Sequence, residues 1–306
     1  MRILTSEQAY FLDKTSIDNF GISSIDLMGN AGQRIALNIE EILAKVSKPK
    51  ILIICGKGNN GGDGYAAAII LKKRGYSVKI HSTIPVNNIT NEALFFYNQC
   101  VELKISISCG GSIDETIKAD LIIDCVLGIG FKGTVRDDII PILTWVNNTD
   151  TKVVSIDLPS GLNCDTGVVE HVAIRADVTI ALGAPKVGMF LREGPEYCGK
   201  VITEDIGFPS EADDLWMERF HSLPWEERSK VLDGFEDTRY KELAERLICS
   251  HSPEFASNET FEKYQNFLNQ RLYDKGPWPS LEKMIDKKNK KNNDDTQNRI
   301  LIDALK

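Results

Sequence analysis

From residue 51 to residue 203, short apolar runs rich in β-branched residues alternate with stretches of helical spacing, and this alternation constrains the fold most. The runs are 51–55, 78–82, 103–107, 121–127, 152–157, 178–182 and 200–203. Several are apolar on successive residues, as in Ile51-Leu52-Ile53-Ile54-Cys55, rather than on every second one. Such runs fit strands covered on both faces, the condition of a parallel sheet. Helices fit between them at about 65–74, 89–101, 113–118 and 138–146. Strand and helix in turn, joined by right-handed crossovers, predict a doubly wound α/β fold with a mostly parallel sheet. Before this region, residues 1–48 read as two helices, the first with Ser6 as its cap and the second over 24–46.

Beyond Pro209 the pattern shifts to residues rich in Glu, Lys and Arg with aromatic anchors, including Trp216, Trp225 and Trp278. This predicts a helical C-terminal extension over 209–306, after a first domain over 1–208. The polar run 287–295 reads as a solvated linker, partly disordered.

Charge and cysteine usage narrow the function classes. A net charge of −8 disfavours nucleic acid and anionic membranes as partners. No apolar run reaches the length of a membrane span, and Met1–Glu7 lacks a signal-peptide core, so the expected location is cytoplasmic. None of the seven cysteines forms a CxxC pair, which fits reduced thiols packed as small hydrophobes. The histidines at 81, 171, 221 and 251 have no metal-ligand spacing.

Three polar loops follow predicted strands. Gly56-Lys57-Gly58-Asn59-Asn60-Gly61-Gly62-Asp63-Gly64 leads from a strand into a helix, where glycines admit φ > 0 or a close ligand and the helix N-terminus attracts phosphate. Its match to GxGxxG lacks the acidic partner about 20 residues on, since Lys79-Ile80-His81 stands there, so an ordinary dinucleotide dehydrogenase is disfavoured. No GxxxxGK[ST] is present, which disfavours a P-loop kinase. Asp124 lies among Leu, Ile, Cys and Val, a costly place for a carboxylate unless a cation or a set of N–H donors meets it. The loop after it, 128–134, carries three glycines and Lys132. Ser155-Ile156-Asp157-Leu158-Pro159-Ser160-Gly161 repeats the plan, with Asp157 as candidate acid/base or as a cap on the turn. Ser160 lacks a GxSxG context and is not read as a nucleophile. Ligands of such sheets bind at the carboxyl ends of the strands, so the three loops should converge on one crevice.

In order, GKGNNGGDG, DCVLGIGFKG, SIDLPSGLNCDTG and ALGAPKVGMF resemble the NAD(P)HX epimerase family, also called the YjeF N-terminal domain. The resemblance spans residues 1 to about 208. It implies a Rossmann-like three-layer sandwich, often a homodimer, that acts on hydrated NADH or NADPH with K+ in its site. Carried over, Asn59, Asn60, Gly61, Gly62 and Asp63 would bind substrate, and Asn60, Asp124 and Ser160 would be the side-chain ligands of potassium. Gly128, Ile129, Gly130, Phe131, Lys132, Gly133 and Thr134 would wrap the substrate phosphates, and Asp157 would contact the substrate near the reacting ring. Oxygen donors suit a hard cation. Two positions depart from the pattern: Lys57 replaces a usual Pro, and Gly29 stands where an acid is frequent. A binding or scaffold module that kept the fold and lost catalysis is the competing class, and the presence of Asn60, Asp124, Asp157 and Ser160 together weighs against it.

Many family members continue into an ATP- or ADP-dependent dehydratase domain. Fewer than 100 residues follow position 208 and they carry no glycine-rich loop, so dehydratase activity is not expected of this chain. The segments 220–228, 235–239 and 243–248 instead resemble the helical C-terminal part of bacterial exonuclease I, without the nuclease domain and its acidic metal ligands.

Overall fold

A computed structural model describes residues 3–89, 91–110, 113, 117–212 and 215. Seven parallel strands form one sheet: β1 (Lys50–Cys55), β2 (Ser77–Ser82), β3 (Ser106–Cys109), β4 (Leu121–Cys125), β5 (Lys152–Ile156), β6 (Val178–Leu182) and β7 (Lys200–Glu204). Their order is β3-β2-β1-β4-β5-β6-β7, a parallel doubly wound sheet of the kind the alternating pattern predicted. The order reverses between β1 and β4, so the carboxyl ends of these two strands open a crevice.

Burial on both faces follows from the strand sequences. Ile51, Ile53 and Cys55 pack with α2 (Ser24–Leu43), α3 (Asn59–Lys73) and α4 (Asn91–Glu102), while Leu52 and Ile54 pack with α5 (Ile140–Asn147). The result is three layers, helix–sheet–helix. Helix α1 (Ser6–Asp18) lies apart from both cores, with Ala9 and Leu12 against Leu4, Ala184 and Ala212. A short helix, α6 (Gly194–Cys198), precedes the last strand.

Several boundaries differ from expectation for identifiable reasons. Thr5, not Ser6, caps α1, in a reciprocal capping box with Gln8. Ser6 is instead held by Asp165, whose oxygens accept from its N–H and its hydroxyl at 2.6 Å each. Helix α3 begins at Asn59, so two thirds of the expected glycine loop, Asn59 to Gly64, is helix. None of Gly56, Gly58, Gly61, Gly62 and Gly64 has a positive φ. Gly61 and Gly62 serve close packing: a Cβ at 61 would lie 2.2 Å from the Gly56 carbonyl oxygen, and one at 62 would lie 2.4 Å from Met28 Sδ. Strand β3 starts at Ser106 rather than at 103, because Leu103, Lys104 and Ile105 fold back onto the last carbonyls of α4, with Lys104 at φ 54°. Of the helix expected over 113–118, Ile113, Ile117 and Lys118 are not helical and the remainder lies outside the described residues. Most of the expected C-terminal extension also lies outside them.

Gly29 sits inside α2, and a Cβ there would meet only Phe96 Cζ at 3.9 Å. Gly29→Ala should therefore stabilise the protein by about 0.5–1 kcal/mol through helix propensity, read as a higher urea midpoint with unchanged slope.

Candidate active site

One cavity of about 650 Å³ opens at the β1/β4 switch point. Its walls come from the three predicted loops and from parts the sequence did not single out. Gly56, Lys57, Gly58, Asn59, Asn60 and Asp63 supply one wall; Gly128, Ile129, Gly130, Phe131, Lys132 and Thr134 a second; Asp157 and Lys186 a third. Helix α1 adds Tyr10 and Asp13, α2 adds Met28, and the strap after β7 adds Ile206 and Phe208. Gly61, Gly62 and Gly133 are not among the lining residues, and neither are Asp124 and Ser160.

Asp124 and Ser160 lie directly behind the wall and are almost fully buried, at 1% and 0% exposure. The cost of burying Asp124 is met by donors. Ser155 Oγ donates to it at 2.8 Å, Ser160 Oγ at 2.5 Å, the Ser160 N–H at 2.9 Å and the Val126 N–H at 3.2 Å. Burial still raises its carboxyl above the usual range, with the hydrogen bonds from Ser160 and Ser155 acting against that rise.

Asn60 connects to this pair through Leu127. Its Nδ2 donates to the Leu127 carbonyl at 2.8 Å, while the Leu127 N–H donates to Ser160 Oγ at 2.8 Å. Asn60 Oδ1 is buried and has no hydrogen-bond partner among the described residues. An orphaned buried acceptor is costly, and a cation there would satisfy it. A single carboxylate with neutral oxygens around it would suit a hard cation of low charge. Among the described residues, no group of three or more His, Cys, Asp or Glu side chains could hold a metal.

Asp157 follows the last residue of β5 with φ 64°, a left-handed conformation that only Lys48, Lys104 and Arg192 share among the described non-glycine residues. Such a conformation costs energy, and here it turns the side chain out of the strand into the cavity. Its Oδ1 accepts from Lys186 Nζ and from the Leu182 N–H at 3.3 Å. Lys186 is 2% exposed, and its Nζ also donates to the Leu182 carbonyl at 2.8 Å.

Other acids share the pocket. Burial raises the Asp63 carboxyl well above its ordinary value; Asp157 and Asp13 add to the rise and Lys186 opposes it. Asp13 is raised by burial first, then by Glu92 and Asp157. A carboxyl with a raised folded-state value destabilises the fold as pH climbs above the unfolded value of about 4. Asp63→Asn should therefore raise the melting temperature at pH 7, and the difference from the parent should vanish on acidification to about pH 3, checked by calorimetry across that range.

The sequence reading thus placed Asn59, Asn60, Asp63, most of 128–134 and Asp157 on one cavity and missed Lys186, Tyr10 and Asp13. Lys186 carried a readable signal: a lysine inside the apolar run Ala181-Leu182-Gly183-Ala184-Pro185-Lys186-Val187-Gly188-Met189-Phe190 requires a buried anion. Elsewhere, His81 is a satisfied core histidine between Ser108 Oγ and the Gly110 carbonyl, both at 3.0 Å. The described cysteines are free thiols. No described helix is long and apolar enough to cross a membrane.

Comparison with known proteins places this site in context. A family model described as YjeF-related protein N-terminus matches residues 24–188, and one described as Exonuclease I C-terminal domain matches residues 206–306. The chain is 34% identical to an NAD(P)H-hydrate epimerase of Limosilactobacillus reuteri, over 67% of this chain and 96% of that protein. A second protein of that name, from Elusimicrobium minutum, is 30% identical over 69% and 98%. The bifunctional NAD(P)H-hydrate repair enzyme Nnr of Dictyoglomus turgidum is 34% identical over 74% of this chain, which spans only 44% of that longer protein. The crystal structure of yeast ynu0 shares the fold, with a TM-score of 0.57 and 23% identity over 67% of this chain and 88% of the other. With more than half of its length matched by the family model and nearly whole relatives aligned along it, this chain belongs to the YjeF-related N-terminal domain family.

Proposed function

We propose that the chain interconverts the R and S forms of hydrated NADH and NADPH, as an isomerase of nicotinamide cofactor repair. The observation that carries this reading is the Asp157 carboxylate, turned by a left-handed backbone into the switch-point cavity that Asn59, Asn60, Asp63 and residues of the 128–134 loop also line. Two relatives aligned over nearly their whole length, both called NAD(P)H-hydrate epimerase, support the substrate class.

The hydrated ring carries a hydroxyl on a carbon next to the ring nitrogen. Inversion there proceeds by loss and return of the oxygen substituent or by opening and reclosure of the ring. Loss as water needs a proton given to the leaving oxygen and one taken from the returning water. Ring opening needs the hydroxyl proton taken as the C–N bond breaks and a proton given to the ring nitrogen. One carboxyl group within hydrogen-bond reach can give and take in either order. Asp157 takes that role. The backbone of residues 128–134, beside Lys132, holds the phosphates, and Asn59 and Asp63 orient the ring end. Asn60, Asp124 and Ser160 would hold potassium, which when bound supplies fixed positive charge near the phosphates and removes the unpaired acceptor at Asn60. The same reading has the protein cytoplasmic, without affinity for nucleic acid, and with residues 209–306 taking no part in the chemistry.

A coupled assay tests it. A dehydratase that accepts only the S form is given an R/S mixture, with and without this protein. The proposal requires complete consumption with the protein present, faster than spontaneous epimerisation; a stall at the S fraction rejects it in favour of a binding module that lost catalysis. The potassium site makes a separate demand. Exchanging K+ for tetramethylammonium should lower the parent rate about tenfold or more, whereas Asn60→Leu should be slow in both salts. Initial rates in matched ionic strength decide this.

A further inference from the structure

We propose that Lys186 is the positioning residue of this site: it immobilises Asp157 through one carboxylate oxygen so that the other oxygen alone handles the proton. This inference rests on the epimerase reading and adds to it a residue to which no role has been given. The hydrogen bonds that the described residues offer the Asp157 side chain, from Lys186 Nζ and the Leu182 N–H, both go to Oδ1. Oδ2 receives neither, and the side chain keeps 13% exposure to the cavity. The two oxygens therefore differ: one is anchored and one is presented to the ligand.

The anchor is itself fixed on all sides. Lys186 is 2% exposed, and its Nζ is shared with the Leu182 carbonyl at 2.8 Å. Its backbone is clamped by the N-terminal segment, with the Leu4 N–H on the Pro185 carbonyl at 2.8 Å and the Val187 N–H on the Leu4 carbonyl at 3.0 Å. The Asp157 N–H is held by the Ile180 carbonyl at 2.8 Å. Lys186, Leu182 and Asp157 thus form a closed ring of contacts, in which the ammonium faces the carboxylate and cannot swing into solvent. A buried ammonium that served packing alone would be costly, since an apolar side chain would fill the same space without desolvating a charge. Orientation of Asp157 is what the lysine adds. Other titratable groups around the carboxylate, Asp13, Asp63 and Tyr10, lie on the cavity walls and none is hydrogen-bonded to it.

The test replaces Lys186 with Met, and in parallel with Gln, which keeps a neutral donor if the apolar variant folds poorly. Expected for Met is a fall in kcat of about a hundredfold with KM within about threefold of the parent, the cost of a misplaced catalytic group. Gln should recover part of the loss, and ethylammonium added to Lys186→Ala should restore turnover where tetramethylammonium at equal ionic strength does not. A loss confined to KM, a kcat within about threefold of the parent, or equal effects of the two ammonium salts overturns the proposal. Crystal structures of the variants give an answer that does not depend on turnover. Asp157 should rotate off the Leu182 N–H, and an unmoved carboxylate overturns the positioning role. Absence of epimerase activity in the parent protein, by contrast, would reject the proposed function and leave the structural test to judge Lys186.

Discussion

Asp157→Asn should abolish epimerisation, lowering kcat by about a thousandfold or more, while the protein stays folded. The amide can still accept a hydrogen bond from Lys186 and can occupy the same volume, so the cavity keeps its shape. It cannot take up and return a proton. The variant also leaves Lys186 charged and buried without its anion, which should cost about 3 kcal/mol, the low end for breaking a buried pair because one hydrogen bond survives. For a domain of this size that is a fall in melting temperature of about 10 °C, measurable beside the kinetic loss. The double variant Asp157→Asn with Lys186→Met should recover much of that stability and none of the turnover. Recovery of stability without activity separates the electrostatic cost of the site from its chemistry.

Gly56→Ala should be the most damaging glycine substitution at the site. Gly56 leaves β1 at the switch point, with its N–H on the Cys125 carbonyl at 2.9 Å. A Cβ there would lie 1.9 Å from the Val126 carbonyl oxygen, and both sides of the clash are backbone. Neither can rotate away, so β1 and β4 must separate where the cavity opens and where Asp124 receives its hydrogen bonds. A loss of about 3 kcal/mol or more is expected, at or above the upper range for overpacking, together with loss of substrate binding. Gly29→Ala is the internal control, since its added carbon meets ordinary contact distances. A Gly56→Ala protein as stable and active as the parent would show that the two strand ends are not packed as described.

Much of this was legible in the sequence because burial on both faces leaves a mark. Ile51 to Cys55 and Leu121 to Ile123 are apolar throughout since alternate residues face different helix layers. The site was legible where polar residues interrupt those runs at their carboxyl ends, as at Asp124 and Asp157. What stayed hidden depends on contacts distant in the chain. Asp165 anchors Ser6 across 159 positions, and that anchor carries Tyr10 and Asp13 to the cavity mouth. Nothing local in α1 announces this. The glycine spacing of 56–64 predicts positive φ or a close ligand, whereas the structure gives none of them positive φ and uses Gly56, Gly61, Gly62 and Gly64 for clearance. Spacing alone does not distinguish a glycine that needs positive φ from one that has no room for a Cβ. The argument that applies to Asp124 applies to Lys186 with the sign of charge reversed, so a lysine within an apolar run is a legible signal of the same kind.

The most direct measurement starts from one epimer. Purified R-form hydrated NADH is incubated at neutral pH with the parent protein, with Asp157→Asn and without protein, and the two epimers are separated by chromatography over time. Catalytic amounts of the parent should bring R to its equilibrium with S well ahead of the protein-free sample, while Asp157→Asn follows the protein-free curve. Equal rates in all three samples would contradict the assignment of this cavity to cofactor epimerisation.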